Sequence, residues 1–157
     1  MTYFRHLTTG AILIAATTSA FAGGHSSTPE EAAMAARSAH MSLYSFNLGP
    51  LGEMVKGNLD YDAEVAAAAA NNLAALASID SSRYWLDGTD MSVEGSRAKP
   101  EIWSDPTGYA AAEMALTEAA TALAAVAGND LDALKAGFGP VGEACGVCHK
   151  AYRGPRN

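Results

Sequence analysis

The stretch Cys145-Gly146-Val147-Cys148-His149 contains the residue types and spacing best suited to chemistry. This C-x-x-C-H pattern is the attachment signature of c-type haem. Two thiols three residues apart lie on one side of a helical turn, where each can add to one haem vinyl group. The next residue places an imidazole beneath the iron as an axial ligand. The sequence therefore predicts one haem c, bound covalently through Cys145 and Cys148, with His149 on its iron.

Three other uses of these cysteines stay open as alternatives. A thioredoxin-type C-x-x-C needs a βαβ setting, and the sequence shows no such pattern. A structural zinc site needs four ligands, and a second Cys/His pair is absent from the chain. A simple disulfide suits an exported protein but leaves the adjacent His149 unexplained. Haem attachment is therefore the favoured interpretation.

The first 22 residues have the three-part layout of a secretory signal peptide. Arg5 is followed by an apolar run over 11–16 and by the small-x-small pattern Ala20-Phe21-Ala22. A transmembrane anchor is the alternative, but the run is shorter than the about 20 residues that span a bilayer. We therefore expect a signal peptide at 1–22, a mature domain at 23–157, a periplasmic location and no membrane insertion.

The composition favours a small, acidic, all-α domain. The chain has 157 residues, of which 49% are hydrophobic, and its net charge is −7, or −8 once Arg5 leaves with the signal peptide. Alanine, the best helix former, is abundant. A negatively charged chain repels phosphate, so we expect no nucleic-acid partner. Two cysteines are too few for a disulfide scaffold.

Four apolar stripes at helical spacing predict four helices. The first begins at a capping box of Thr28 and Glu31 and stops at Gly57. We expect Asp60 to cap the second helix and Asp105 to cap the third. The predicted helices cover 28–57, 60–79, 105–128 and 130–152.

The connections between these segments predict the topology. Gly49-Pro50 predicts a kink in the first helix, and Gly139-Pro140 predicts a bend or weak turn in the fourth. The stretch 80–105 is rich in Ser, Gly, Asp and Pro and contains both tryptophans, so we interpret it as a long structured loop. Two short connections and one long one predict an antiparallel four-helix bundle, with the haem attached near the C-terminus.

Several stretches outside the haem motif also match a known pattern. They are Arg37, the run N-L-G-P-L-G-E-M-V-K-G over 47–57, R-A-K-P-E-I-W over 97–103, G-P-V-G over 139–142, and Tyr152-Arg153. With these, the chain resembles the class II c-type cytochromes, the cytochrome c prime family. That family combines a four-helix bundle with a C-terminal haem motif, whereas most other small c-type cytochromes carry the motif near the N-terminus.

The resemblance implies which residues surround the haem. The position four residues after Arg37, here Met41, faces the open side of the haem in the family. Arg37 and Arg153 match positions where a guanidinium can pair with a haem propionate or screen His149. Ser38, Ser96 and Arg97 match haem-edge positions more loosely.

Met41 separates two functions. In the low-spin members, the c-554 and c-556 types, a methionine here is the sixth ligand, which raises the reduction potential and favours electron transfer. In the high-spin members an apolar residue, in some cases a methionine, blocks the iron without binding it, and nitric oxide or carbon monoxide binds at the open face. Met41 as a core side chain and His40 as the ligand are further alternatives.

Our leading hypothesis is a periplasmic monohaem electron carrier, and a high-spin gas-binding cytochrome is the alternative. An enzyme, either a peroxidase or a thiol oxidoreductase, is the third hypothesis. The expected region shows no distal acid–base pair and both thiols are assigned to the haem, so we expect no catalytic residues. The resemblance implies a homodimer through the first two helices. Redox proteins and small gases are the other expected partners.

Overall fold

The computed structural model describes residues 27–155, so the predicted signal peptide lies outside the described residues. The helices of the described part are α1 (Pro29–Lys56), α2 (Ala63–Ala77), α3 (Glu101–Ser104), α4 (Pro106–Val126) and α5 (Leu131–Tyr152). β-structure between residues 27 and 155 is limited to one isolated antiparallel bridge, Ala98 to Arg153. The all-α prediction is confirmed. No helix in this range is both long and apolar enough to cross a membrane.

α1 begins and ends where the sequence predicts. The Thr28 hydroxyl accepts a hydrogen bond from the Glu31 amide at 3.2 Å, and the Glu31 carboxylate accepts one from the Thr28 amide at 2.9 Å. These two bonds complete the capping box. Gly57 ends the helix at φ 80°, in the left-handed region that glycine enters without strain. α1 continues through Pro50, and α5 through Pro140, as single helices.

The start of α2 corrects the prediction that Asp60 is its cap. Asp62 caps this helix, because its Oδ1 accepts hydrogen bonds from the amides of Glu64 and Val65 at 2.9 and 3.0 Å. Its extended backbone, with φ −124° and ψ 113°, is the conformation that an N-cap needs. Both aspartates precede the apolar stripe, so the local pattern alone did not separate them.

The long connection between α2 and α4 contains more helix than predicted. Ser82–Tyr84 forms a 3₁₀ turn, and α3 follows near its end. The indole nitrogen of Trp103 donates to the carbonyl of Trp85 at 3.1 Å, which ties the two parts of the connection together. The sequence missed α3 because four residues are too few to show a helical period.

The main core lies between the four long helices, which contact one another in the ring order α1, α2, α4, α5. Its larger side chains, each 0–1% exposed, are Leu51, Met54, Leu73, Leu123, Leu134 and Val141. Fully buried alanines fill the space between them, which lets the helix backbones approach closely. At Gly137 an added Cβ would lie 3.0 Å from a methyl group of Leu123, so α4 and α5 also need a glycine at their contact.

A second cluster covers the part of α5 that carries the haem motif. Trp85, Trp103, Tyr109 and Tyr152, here called the aromatic cluster, make edge-to-face contacts with centroids 5.2–6.3 Å apart. Such contacts stabilise aromatic pairs beyond simple burial. The cluster joins the long connection, α4 and α5 beside Cys148.

Candidate haem site

Both cysteines of the haem motif face the interior. Cys145 packs against the main core, and Cys148 packs against the aromatic cluster. Burial raises the pKa of both thiols, and the negative charge of Glu113 raises that of Cys148 further. Both groups are therefore neutral thiols at neutral pH, in the apolar surroundings that a haem requires.

His149 is half-buried at the same end of α5. Burial lowers its pKa, and the positive charges of Arg153 and Arg97 lower it further. The neutral imidazole, which is the form that ligates a metal, is therefore favoured at neutral pH. We call Cys145, Cys148 and His149 the α5 side of the site.

The structure bears on the alternatives for the cysteines. Cys145 and Cys148 are unpaired thiols. Within residues 27–155, no group of three or more His, Cys, Asp or Glu side chains is arranged to hold a metal ion. The surroundings are helical, without the βαβ unit of thioredoxin-like proteins. The helical setting favours haem attachment over a thioredoxin-type pair.

The backbone at the end of α5 is braced by residues 97–99. The Lys99 amide donates to the Tyr152 carbonyl at 3.0 Å, and the Gly154 amide donates to the Arg97 carbonyl at 2.8 Å. These bonds form the isolated bridge and hold the chain that follows His149. His149, the proposed iron ligand, therefore lies in the last turn of α5, and the backbone after that turn is held by hydrogen bonds.

Arg97 adds side-chain bonds to this brace. Its Nη2 donates to the Gly154 carbonyl at 2.7 Å, and its Nε donates to the carbonyls of Gly154 and Pro155, both at 3.1 Å. Arg153 is exposed and contributes its charge beside His149. The structure thus gives Arg97 a bracing role, whereas haem contacts by either arginine stay a prediction.

Arg37 is a buried cation with incomplete hydrogen bonding. Its Nη2 donates to the Thr89 carbonyl at 3.0 Å, and its Cζ lies 4.9 Å from the centroid of the Trp85 ring. Burial lowers its pKa. Its Nη1 is buried without a hydrogen-bond partner among the residues that the structure describes. An unpaired buried charge is costly, and a carboxylate such as a haem propionate would supply the missing acceptor.

Met41 lies one helical turn after Arg37 and is 48% exposed, which disfavours a role as a core side chain. Tyr44, three residues further on, shares its face of α1. Burial raises the pKa of Tyr44 well above its usual range. Tyr44 and Cys145 both pack against the main core, where α1 contacts α5. This face of α1 therefore lies towards the part of the core that Cys145 contacts. We call Arg37 and Met41 the α1 side of the site.

His40 is engaged elsewhere. Its Nε2 lies 3.1 Å from the Leu76 carbonyl of α2, and its ring stacks on Tyr44 with the centroids 4.8 Å apart. The side chain is buried between α1 and α2. These contacts disfavour His40 as an iron ligand.

The two predicted serines lie in different surroundings. Ser96 is buried, donates to the Thr89 carbonyl at 2.7 Å and accepts from the Ala98 amide at 3.3 Å. The same Thr89 carbonyl accepts from Arg37, so Ser96 and Arg37 belong to one cluster. Ser38 is exposed, and its contact with a haem stays a prediction.

Sequence reasoning missed a polar network inside this region. The Glu113 carboxylate accepts hydrogen bonds from the Ser81 hydroxyl at 2.5 Å and from the Tyr109 hydroxyl at 3.0 Å. The Trp85 indole donates to Ser81 at 3.3 Å. We call these four residues the Glu113 network. The sequence did contain a signal for it, namely an acidic residue within an apolar stripe. Glu113 lies four residues after Tyr109 and three before Leu116, on the apolar face of α4.

Together these residues fit a covalently attached haem. The site offers two interior thiols, a neutral imidazole and a buried guanidinium that lacks an acceptor. When bound, the haem supplies an iron that either exchanges one electron or binds a small gas at an open coordination position.

Comparison with known proteins agrees with this site. The family model described as cytochrome C' matches residues 32–153. Cytochrome c-554 from Cereibacter sphaeroides is 43% identical over 114 residues, which are 72% of this chain and 74% of that protein. The structure of cytochrome c' from Rhodobacter sphaeroides matches with a TM-score of 0.79 and 39% identity, over 81% of this chain and 98% of the other.

A third similar protein is a mutant of cytochrome c prime from Alcaligenes xylosoxidans, solved as a nitric oxide complex. It matches with a TM-score of 0.72 and 34% identity, over 81% of this chain and 97% of the other. The family's cofactor is one covalently attached haem c with its iron, and Cys145 and Cys148 are the two cysteines of this chain. The predicted resemblance and the antiparallel four-helix bundle are confirmed. The chain belongs to the cytochrome c' family.

Proposed function

We propose that this protein is a periplasmic monohaem electron carrier in which His149 is the proximal iron ligand and Met41 the sixth. The position of Met41 carries the proposal. Its side chain is half exposed, on the face of α1 that it shares with Tyr44, which packs against the same core as Cys145, so it is not committed to the core. Methionine ligation raises the reduction potential and suits electron transfer. The similarity to a cytochrome c-554 supports this choice.

The other site residues hold the cofactor rather than react. Cys145 and Cys148 attach it, and the low pKa of His149 keeps the imidazole ready to bind. Arg37 offers its unpaired Nη1 to a propionate. The proposal assigns no catalytic residue, because electron transfer needs only a haem edge near the surface and a potential set by ligand and burial.

The optical spectrum of the purified protein tests the assignment of Met41. We expect a long-wavelength methionine–iron band in the ferric form and no carbon monoxide shift in the ferrous form. The variant Met41→Ala should lose the band and bind carbon monoxide. Met34→Ala, seven residues earlier on the same helix, is the matched control and should keep both wild-type properties.

The alternative function is a high-spin cytochrome that binds nitric oxide or carbon monoxide. The nitric oxide complex of the Alcaligenes relative favours it, because that protein shares this fold. Rapid carbon monoxide binding by the unaltered protein would establish this alternative and reject the carrier. If Met41→Ala changes nothing in a low-spin protein, Met41 is not the ligand.

The periplasmic location rests on the predicted signal peptide. Residues 1–22 contain the charged start, apolar run and small-residue cleavage pattern of an export signal. We expect the N-terminal sequence of the mature protein to start at Gly23. A mature protein that retains Arg5, or that is recovered from the cytoplasm, would contradict export.

We propose a homodimer through α1 and α2, supported by apolar side chains exposed on α1. Leu43 and Phe46 are 50% and 76% exposed and lie three residues apart, so they share one face. Phe46→Glu should produce a monomer in sedimentation, because dimerisation would bury this charge. Met114→Glu places the same charge at an exposed position of α4, outside the proposed interface, and should leave the dimer intact. A wild-type monomer would reject the proposal.

We expect the redox partner to present a positively charged surface, because this chain carries a net charge of −7. Electrostatic attraction of this kind weakens as salt screens the charges. Electron transfer to a basic partner should therefore slow as the ionic strength rises. A rate that is independent of salt would contradict a charge-steered complex.

A further inference from the structure

We propose that the carboxylate of Glu113 is a partly buried negative charge that lowers the reduction potential of the haem attached at Cys148. The inference rests on the proposed haem site but is independent of which residue provides the sixth ligand. Through Glu113, α4 would influence the reduction potential although it carries no residue of the haem motif.

The Glu113 network is built to hold a carboxylate in place. Ser81 and Tyr109 both donate hydrogen bonds to the same carboxylate oxygen, at 2.5 and 3.0 Å. Hydrogen bonds to a charged acceptor are stronger than those between neutral groups. Trp85, which donates to Ser81, is itself held against Arg37. The network therefore links the carboxylate to both the long connection and α1.

Contacts join Glu113 to the haem-binding cysteine. Its carboxylate accepts a hydrogen bond from Tyr109, and Cys148 packs against the aromatic cluster to which Tyr109 belongs. Glu113 is also only partly accessible to solvent. Solvent and salt screen an exposed charge more effectively than an interior one.

The sign of the effect follows from electrostatics. Ferric haem carries one more positive charge than ferrous haem, so a nearby anion stabilises the ferric form more. Uptake of one electron then becomes less favourable, and the potential falls. Removing the anion should have the opposite effect. Interactions in the interior are stronger than in water because the effective dielectric constant is lower.

Two substitutions at position 113 separate charge from shape. Glu113→Gln keeps the shape and removes the charge, and we expect it to shift the redox equilibrium about tenfold towards the ferrous form, which corresponds to about 59 mV for one electron. Glu113→Asp keeps the charge but shortens the side chain, and should stay near the wild-type potential. Glu118→Gln removes an exposed charge from the same helix and should have little effect.

The difference between wild type and Glu113→Gln should largely persist at high salt, because salt screens a partly buried charge less than an exposed one. Equal shifts in Glu113→Gln and Glu113→Asp would show a structural role and overturn the proposal. An unchanged or lower potential in Glu113→Gln would do the same. A protein that lacks covalent haem would instead reject the underlying haem site.

A measurement on the unaltered protein keeps the proposal testable if the variants do not assemble. Reduction of the iron should perturb a carboxylate band in the infrared difference spectrum between the oxidised and reduced forms. Labelling glutamate with ¹³C should shift that band, which distinguishes a glutamate carboxylate from the haem propionates. The absence of any label-sensitive band would overturn the proposal.

Discussion

The two sides of the haem site are held by different contacts. On the α5 side, residues 97–99 bond to the backbone that follows His149, and the Arg97 guanidinium donates to two carbonyls there. On the α1 side, Arg37 donates to a single carbonyl, and Met41 is 48% exposed. The α5 side is therefore the more firmly fixed of the two.

This difference matches what each side must do. In the proposed site, two thioethers and one axial ligand on a single helix would require a fixed backbone, because the covalent bonds tolerate little displacement. The opposite face of the iron needs only one side chain, and exchanging that side chain changes the chemistry without disturbing the core. We therefore expect substitutions on the α5 side to affect assembly and those on the α1 side to affect ligand binding.

The largest expected effect is loss of the cofactor from the α5 side. The double variant Cys145→Ser, Cys148→Ser lacks both thiols and should carry no covalent haem. A haem-stained denaturing gel, supported by the intact mass, measures this loss. Met41→Leu on the α1 side should retain the haem fully. Covalent haem in the double variant would show that the α5 side does not attach the cofactor.

Removing the brace should weaken the fold. Arg97→Ala loses charge-assisted hydrogen bonds to Gly154 and Pro155, and we expect the free energy of unfolding to fall by about 2 kcal/mol. Denaturant unfolding measures the change. Arg83→Ala, at an exposed position in the same connection, is the control and should change stability by less than about 0.5 kcal/mol. Equal effects of the two variants would show that the brace is dispensable.

Removing the N-cap of each helix compares the stability of α5 with that of α1. Asp130→Ala removes the acceptor for the Ala133 amide at the start of α5 and should cost about 1 kcal/mol. Thr28→Ala should cost about half as much, because the first turn of α1 is exposed and can fray without unfolding the core. Thermal unfolding measures both variants. A larger loss of stability in Thr28→Ala than in Asp130→Ala would contradict the proposal that the α5 side is the more firmly fixed.

The smallest effect concerns alkaline pH. Burial raises the pKa of Tyr44 and Tyr109 above the ordinary value of about 10. Because the folded-state pKa lies above the unfolded value, this contribution to stability is fully present below about pH 10 and is lost as pH rises from there through the folded-state pKa. We expect a loss below about 1 kcal/mol per pH unit, because both groups retain solvent contact. The melting temperature of Tyr44→Phe should therefore fall less steeply above pH 10 than that of the wild type. An identical dependence on pH in the two proteins would contradict this.

Predictions from the sequence were most accurate where the signal was local. The Thr28–Glu31 capping box and the Gly57 stop each depend on residues within one or two helical turns, and both were correct. The cap of α2 was wrong by two residues, because two aspartates compete there and only the folded backbone selects Asp62. Four-residue α3 was missed for lack of a period.

The sequence by itself determined the spacing of Cys145, Cys148 and His149 on the α5 side, because they lie within about one helical turn and need no distant residue to define it. Only the tertiary structure decided what surrounds these residues. Arg37 meets the Thr89 carbonyl across 52 residues of sequence, and Glu113 meets Ser81 across 32. Such contacts depend on how the helices and the long connection pack together, and local spacing does not specify that packing.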